Sequence, residues 1–114
     1  MAVIELNSKN IFETIEKSLC LFINFSFSEK KQSIEFSDMF EKFSEKHKSV
    51  VFGSVRTEVE NDIVEGFQIT KTPTLMVFLE GQEARNVPGG CDEATMKAFI
   101  NEIIYELEQA AKKT

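Results

Sequence analysis

Apolar and polar positions follow two kinds of pattern along this chain. Three runs of nearly continuous apolar residues are typical of strands that are buried on both faces of a sheet. The pair Glu80-Gly81 predicts a hairpin turn that joins the third run to a final strand. With a short apolar piece near the N-terminus, the pattern predicts five strands, at residues 3–6, 19–25, 50–55, 74–79 and 82–87.

Four other segments carry apolar residues three and four positions apart, which is the spacing of an amphipathic helix. Their apolar positions are Ile11, Phe12, Ile15 and Leu19; Ile34, Phe36, Met39, Phe40 and Phe43; Val59, Ile63 and Val64; and Met96, Phe99, Ile100, Ile103, Ile104 and Leu107. We expect the third helix to end near Gly66 and Asp92 to cap the fourth. Residues 110–114 are expected to form a frayed tail.

The element order βαβαβαββα defines the expected fold class. Strands that are separated by helices predict parallel crossovers, whereas the final hairpin must be antiparallel. We therefore expect an α/β protein with a mixed five-stranded sheet and helices on both faces. The length of 114 residues suits a single domain over residues 1–114.

The charge and composition of the chain narrow its possible partners. The 13 basic and 19 acidic residues give a formal net charge of −6, so we expect no nucleic-acid partner. No apolar run reaches the length of a membrane span, and the N-terminus lacks the pattern of a secretory signal. We therefore expect a cytoplasmic protein that does not bind membranes. The lone His47 and two distant cysteines show no metal-ligand spacing, so we expect no metal and no cofactor.

Three motifs in this order resemble the thioredoxin family. Residues 69–75 resemble the start of the family's strand that carries an invariant cis-proline, here Pro73. Residues 78–81 are similar to the end of that strand and its turn glycine. Gly89 lies sixteen residues beyond Pro73, where thioredoxins place the glycine before the last helix. The resemblance covers roughly residues 3–107 and implies the thioredoxin fold, with a cis bond between Thr72 and Pro73.

The dithiol that gives thioredoxins their activity is absent from the matching positions. The family's Cys-x-x-Cys motif falls on Lys30-Lys31-Gln32-Ser33, so its two cysteines correspond to Lys30 and Ser33. Thiol–disulfide exchange requires a thiolate attacker and a second thiol that resolves the mixed disulfide. We therefore expect no disulfide oxidoreductase activity. The resemblance also places Asn24 at the position of the family's buried acid, and Ser54 at that of its lysine partner.

The resemblance further implies a groove that binds an extended peptide without a covalent step. Its lining falls on Phe27, Lys30, Thr72, Pro73, Gly89, Gly90 and Cys91. In the family, substrates pair with the backbone of the residue before the cis-proline, which is Thr72 here. The pair Lys30-Lys31 has two interpretations: a solvated surface pair, or a basic spot at the groove rim that attracts an acidic peptide or a phosphoryl group.

The two cysteines carry different expectations. Cys20 lies within an apolar strand and is expected to be packed and inert. Cys91 follows Gly89-Gly90 in the groove, and the last helix would lower its thiol pKa whereas Asp92 would raise it. Residues 89–93 also resemble the Gly-Gly-Cys-Asp stretch with which glutaredoxins hold glutathione, although the spacing from Pro73 is thioredoxin-like.

Our leading hypothesis is a redox-inactive, thioredoxin-like binding or adaptor module that holds a peptide or protein partner in this groove. One alternative is a thiol-dependent oxidoreductase or glutathione-binding protein that uses Cys91. A second is a structural subunit of a larger assembly, which the long last helix with Ile103, Ile104 and Leu107 suggests.

Overall fold

The computed structural model describes residues 2–112 and contains the nine elements in the predicted order. They are β1 (Val3–Glu5), α1 (Ile11–Lys17), β2 (Cys20–Ser26), α2 (Lys31–Lys46), β3 (Val51–Arg56), α3 (Asn61–Gly66), β4 (Thr74–Leu79), β5 (Gln82–Pro88) and α4 (Glu93–Lys112). The predicted α/β class and the order βαβαβαββα are confirmed.

The sheet has the strand order β1-β3-β2-β4-β5. Strands β1, β3 and β2 pair in parallel, and β4 pairs antiparallel with both β2 and β5. The two-residue turn between β4 and β5 has positive φ at both central residues, 52° at Glu80 and 82° at Gly81. This backbone suits a type I′ turn, whose twist matches that of the flanking strands. The predicted mixed sheet and its hairpin are therefore confirmed.

Hydrophobic residues form two clusters, one on each face of the sheet. Alternate residues of β2 separate between them: Cys20 and Phe22 join the first cluster, whereas Leu21 and Ile23 join the second. The first cluster also contains side chains of α2 and α4, and the second contains side chains of α1 and α3. The prediction of helices on both faces of the sheet is therefore confirmed.

Several apolar residues that the helical spacing assigned to the apolar faces of helices are exposed in the structure. Leu19 lies beyond α1 and is 57% exposed, and Phe12 is 68% exposed on the outer side of that helix. Phe12 stacks on Phe67, with 5.9 Å between ring centroids. Ile34 and Val59 are also exposed. Spacing alone cannot distinguish such positions from core positions, because burial depends on which elements pack nearby.

The structure corrects one expected helix end and agrees with another. Helix α4 continues through Lys112, so the expected fray is wrong for residues 110–112, and residues 113 and 114 lie outside the described residues. Alanine is the strongest helix former and occupies positions 110 and 111, which favours this extension. Helix α3 ends at Gly66, as expected, and the residue with a left-handed backbone after it is Gln68, with φ 56°.

Gly53 is the position where the parallel strands leave no room for a side chain. A Cβ at Gly53 would lie 2.5 Å from Cδ1 and 2.9 Å from Cγ of Leu6. We predict that Gly53→Ala lowers the free energy of unfolding by about 1–3 kcal/mol, because the buried Leu6 side chain must shift. Urea denaturation measures this loss. The matched control is Gly66→Ala, whose Cβ meets nothing within 4 Å. An equal loss in both variants would contradict the steric explanation.

Candidate functional site: the groove beside Pro73

The register of β2 and β4 brings the predicted groove segments together. Phe25 pairs with Thr74, so the chain that leaves β2 passes beside the residues that precede β4. The Thr72–Pro73 peptide bond at this point is cis. A cavity of about 350 Å³ opens here, and its lining residues are Gln32, Glu35, Phe36, Met39, Pro73, Gly89 and Cys91. Three of the predicted groove residues therefore line one cavity.

Lys30 reaches across the groove to the backbone beside Pro73. It occupies the N-cap position of α2 with an extended backbone, and its side chain does not cap the helix. Instead, Lys30 Nζ donates a hydrogen bond of 2.6 Å to the carbonyl oxygen of Thr72. Because an ammonium is disfavoured at a helix N-terminus, this carbonyl gives the charge a compensating partner.

The two adjacent lysines have different environments. The Lys31 side chain is 90% exposed and lies 4.0 Å from a carboxylate oxygen of Glu35. Such an exposed pair contributes little to stability. Lys31 is therefore a solvated surface residue, whereas Lys30 is not, because its ammonium contacts the Thr72 carbonyl.

Ser33 turns inward from the groove. It is 1% exposed, and its Oγ accepts a hydrogen bond of 3.2 Å from the backbone N–H of Phe27. Phe27 and Ser33 line a neighbouring cavity of about 180 Å³ that does not include Pro73. At this position the hydroxyl thus supports the loop between β2 and α2.

Gly89 and Gly90 allow the last loop to approach the cis-proline closely. Both have positive φ, 89° and 71°. A Cβ at Gly90 would lie 3.0 Å from Cδ1 of Phe36 and 3.2 Å from Cγ of Pro73. Beside Gly89 lies the ammonium of Lys71, since a Cβ there would be 3.5 Å from Lys71 Nζ. A second cation therefore adjoins the groove.

Both cysteine thiols hold their protons strongly. Burial raises the pKa of Cys20 to about 12 and is the larger cause that raises the pKa of Cys91 to about 11. The carboxylate of Asp92 is the second cause at Cys91. Asp92 accepts a 2.8 Å hydrogen bond from the backbone N–H of Thr95, which confirms its predicted capping role and lowers its own pKa. The capping carboxylate thus remains charged and opposes a thiolate next to it.

Sequence reasoning missed the contribution of α2 to the cavity wall. Gln32 lies in the segment 27–33 that was expected to form the groove, whereas Phe36 and Met39 were not expected there. Their spacing of four and three residues places all three on one face of the helix. Phe36 and Met39 were predicted only as apolar positions of an amphipathic helix. The helical spacing could have indicated this face, but not that the proline loop would leave a cavity against it.

Within residues 2–112, no helix is both long enough and apolar enough to cross a membrane. The same residues contain no group of three or more His, Cys, Asp or Glu side chains that could hold a metal ion.

Comparisons with known proteins agree with this architecture. A thioredoxin-type domain is the class that the fold and the proline groove define, and the thioredoxin family model matches residues 2–102. The chain belongs to the thioredoxin family. A Streptomyces coelicolor protein assigned as thioredoxin 2 is 28% identical over 101 residues, which cover 89% of this chain and 75% of the relative.

Solved structures show the shared fold. Plasmodium falciparum thioredoxin superposes with a TM-score of 0.80 at 18% identity, over 88% of this chain and 98% of that one. Human ERp44 superposes with a TM-score of 0.79 at 25% identity, over 88% of this chain but 29% of the longer human chain.

The raised pKa of Cys91 gives a chemical prediction. Because an ordinary thiol here would titrate near 9.0 rather than about 11, we expect Cys91 at pH 8 to react with iodoacetamide about 100-fold more slowly than a free cysteine. Mass spectrometry of the peptide that contains Cys91 measures the rate separately from Cys20. Asp92→Asn should accelerate the reaction, since it removes the charge and retains a capping side chain. A rate equal to that of free cysteine would contradict this account.

Proposed function

We propose that this thioredoxin-family protein is a binding module without a redox cycle, and that its groove holds an extended, acidic segment of a protein partner. The hydrogen bond between Lys30 Nζ and the Thr72 carbonyl is the observation that carries the proposal. This bond connects Lys30, which stands at a cysteine position of the family's dithiol, with Thr72. Thr72 is the residue whose backbone pairs with substrates in the family.

The occupied carbonyl favours an acidic partner over a neutral one. A peptide that adds to the strand edge at Thr72 needs the backbone groups of that residue, and Lys30 already uses its acceptor. A carboxylate on the peptide can pair with the ammonium and free the carbonyl. A neutral side chain cannot replace the lost charge-assisted bond.

Local charge supports the same choice of partner. The whole chain carries a formal charge of −6, yet Lys30, Lys31 and Lys71 lie around the start of α2 and the proline loop. Glu35 is the carboxylate that lines the Pro73 cavity, and it lies 4.0 Å from Lys31. An acidic segment would therefore meet cations on the Lys30, Lys31 and Lys71 side of the rim, away from the carboxylate of Asp92 beside Cys91.

The thiol-dependent alternative has weaker support. Lys30 and Ser33 supply neither an attacking nor a resolving thiol. With a pKa of about 11, Cys91 would be a thiolate in only about one molecule in 10,000 at pH 7. The protein is related to thioredoxins. A direct assay of thiol chemistry is therefore part of the test.

Peptide binding tests the proposed groove. We expect extended, Val- and Thr-rich peptides with Glu at alternate positions to bind about tenfold more tightly than their Gln counterparts at low salt. Fluorescence anisotropy with labelled peptides measures both affinities. Lys30→Met should abolish the preference for Glu and strengthen the Gln peptide, because it frees the Thr72 carbonyl. Lys31→Met is the matched control and should retain most of the preference.

Two results would contradict the proposal. If no peptide of either series binds, the groove beside Pro73 is not a peptide-binding site. Equal affinity for the Glu and Gln peptides, unchanged in Lys30→Met, would leave a groove but remove its acidic selectivity.

An insulin reduction assay tests the absence of redox chemistry. We expect no turnover by the wild-type protein, with or without a thioredoxin reductase. Lys30→Cys with Ser33→Cys should introduce slow reduction, since the two positions adjoin on the first turn of α2. Adding Asn24→Asp should raise that rate, because a carboxylate can assist proton transfer. Wild-type turnover that Cys91→Ser abolishes would instead support the thiol-dependent alternative.

A further inference from the structure

A second cavity, of about 240 Å³, opens between β1, β3 and α2. Val3 and Phe40 form its apolar walls. It lies over the face of the sheet that α2 covers, mostly toward the carboxyl ends of the parallel strands, and it shares no lining residue with the Pro73 cavity. A cavity of about 150 Å³ is enough to hold benzene, so this one has room for a small organic molecule.

Asn24 lines this cavity, and its buried side chain carries an unsatisfied polar atom. Its side chain is 1% exposed, and its Nδ2 donates a 2.9 Å hydrogen bond to Oγ of Ser37. Its Oδ1 has no hydrogen-bond partner among the described residues. A buried amide oxygen without a donor is unfavourable, because it has lost its hydration and gained nothing in exchange. A ligand that supplies one donor at this point would remove that deficit.

The strand register aligns two further polar residues with Asn24. Glu5 pairs with Ser54, and Ser54 pairs with Asn24, so the three residues lie side by side across β1, β3 and β2. All three line the cavity. Neighbouring strands are about 4.8 Å apart, so one donor group can contact both the amide oxygen and the hydroxyl, with the carboxylate one strand away.

The charges around the cavity are predominantly negative. Glu5 and Glu41 both line it, and neither forms an ion pair within residues 2–112. Arg56 also lines the cavity, but its Nε lies 4.0 Å from Oε2 of Glu58. A hydrogen bond from Ser28 is the largest cause that lowers the pKa of Glu58, so this partner stays ionised. The Arg56 side chain is 55% exposed, so its charge lies largely in solvent, whereas Glu5 and Glu41 add two negative charges to the lining.

We infer that this cavity is a binding site for a small primary amine with a compact apolar body. The body packs between Val3 and Phe40, and the ammonium donates to Asn24 Oδ1 and to the hydroxyl of Ser54. The carboxylates of Glu5 and Glu41 compensate its charge, and they disfavour an anionic ligand of the same shape. This site is independent of the proposed peptide groove.

Titration of the ¹⁵N-labelled full chain tests the inference, with benzylamine as the probe. We expect saturable shifts of the Asn24 side-chain amide and of the backbone amides of Ser37 and Ser54. Benzyl alcohol has the same shape with one donor and no charge, and should bind about tenfold more weakly. Benzoate should cause no saturable shift at these positions.

Variants separate the site from general surface binding. Asn24→Leu has a similar shape without the amide, and should weaken benzylamine about tenfold. Ser54→Lys should abolish probe binding, since it fills the cavity with its own ammonium. Glu106→Gln, on the exposed side of α4, should leave the affinity unchanged. A well-dispersed spectrum shows that each variant is folded.

Three outcomes would overturn the inference. They are a benzylamine affinity that is unchanged in both Asn24→Leu and Ser54→Lys, an alcohol that binds as tightly as the amine, and shifts that never saturate. The last result would mean that the cavity holds solvent only.

Discussion

Burial of β2 on both faces is the constraint on which the rest of the structure depends. Every residue from Cys20 to Ser26 is buried, and the two clusters of the core meet on opposite sides of this strand. A strand in this position needs hydrogen-bonded neighbours on both edges and helices over both faces. Strands β3 and β4 supply the edges, and the two pairs of helices supply the faces.

The same strand positions both candidate sites. At its carboxyl end the chain turns into α2, directly beside the start of β4 and its cis-proline. Helix α2 therefore adjoins two cavities, and only the second of them includes a residue of β2, Asn24. Gln32, Phe36 and Met39 line the cavity beside Pro73, whereas Ser37 and Phe40 line the cavity beside Asn24. The first three turns of α2 thus form a wall common to both.

Replacement of ionisable groups links the two sites chemically. The resemblance implies that Asn24 stands where thioredoxins have a buried acid and that Ser54 stands where they have its lysine partner. Lys30 and Ser33 stand where they have the two thiols. A neutral amide avoids the cost of a buried carboxylate, and serine is much shorter than lysine, which is consistent with the space beside Asn24. At the surface, a lysine in place of a thiol exchanges a nucleophile for a cation that bonds a backbone carbonyl.

The sequence by itself determined the order of elements, the hairpin and the family resemblance. Continuous apolar runs and the motif around Pro73 depend on local composition and spacing, which a sequence displays directly. The tertiary structure alone decided that Lys30 contacts Thr72, that Ser33 turns inward and that Asn24 Oδ1 lacks a donor. These outcomes depend on distances between residues far apart in the chain. Such distances are set by sheet register and helix packing, and no local pattern of residues encodes them.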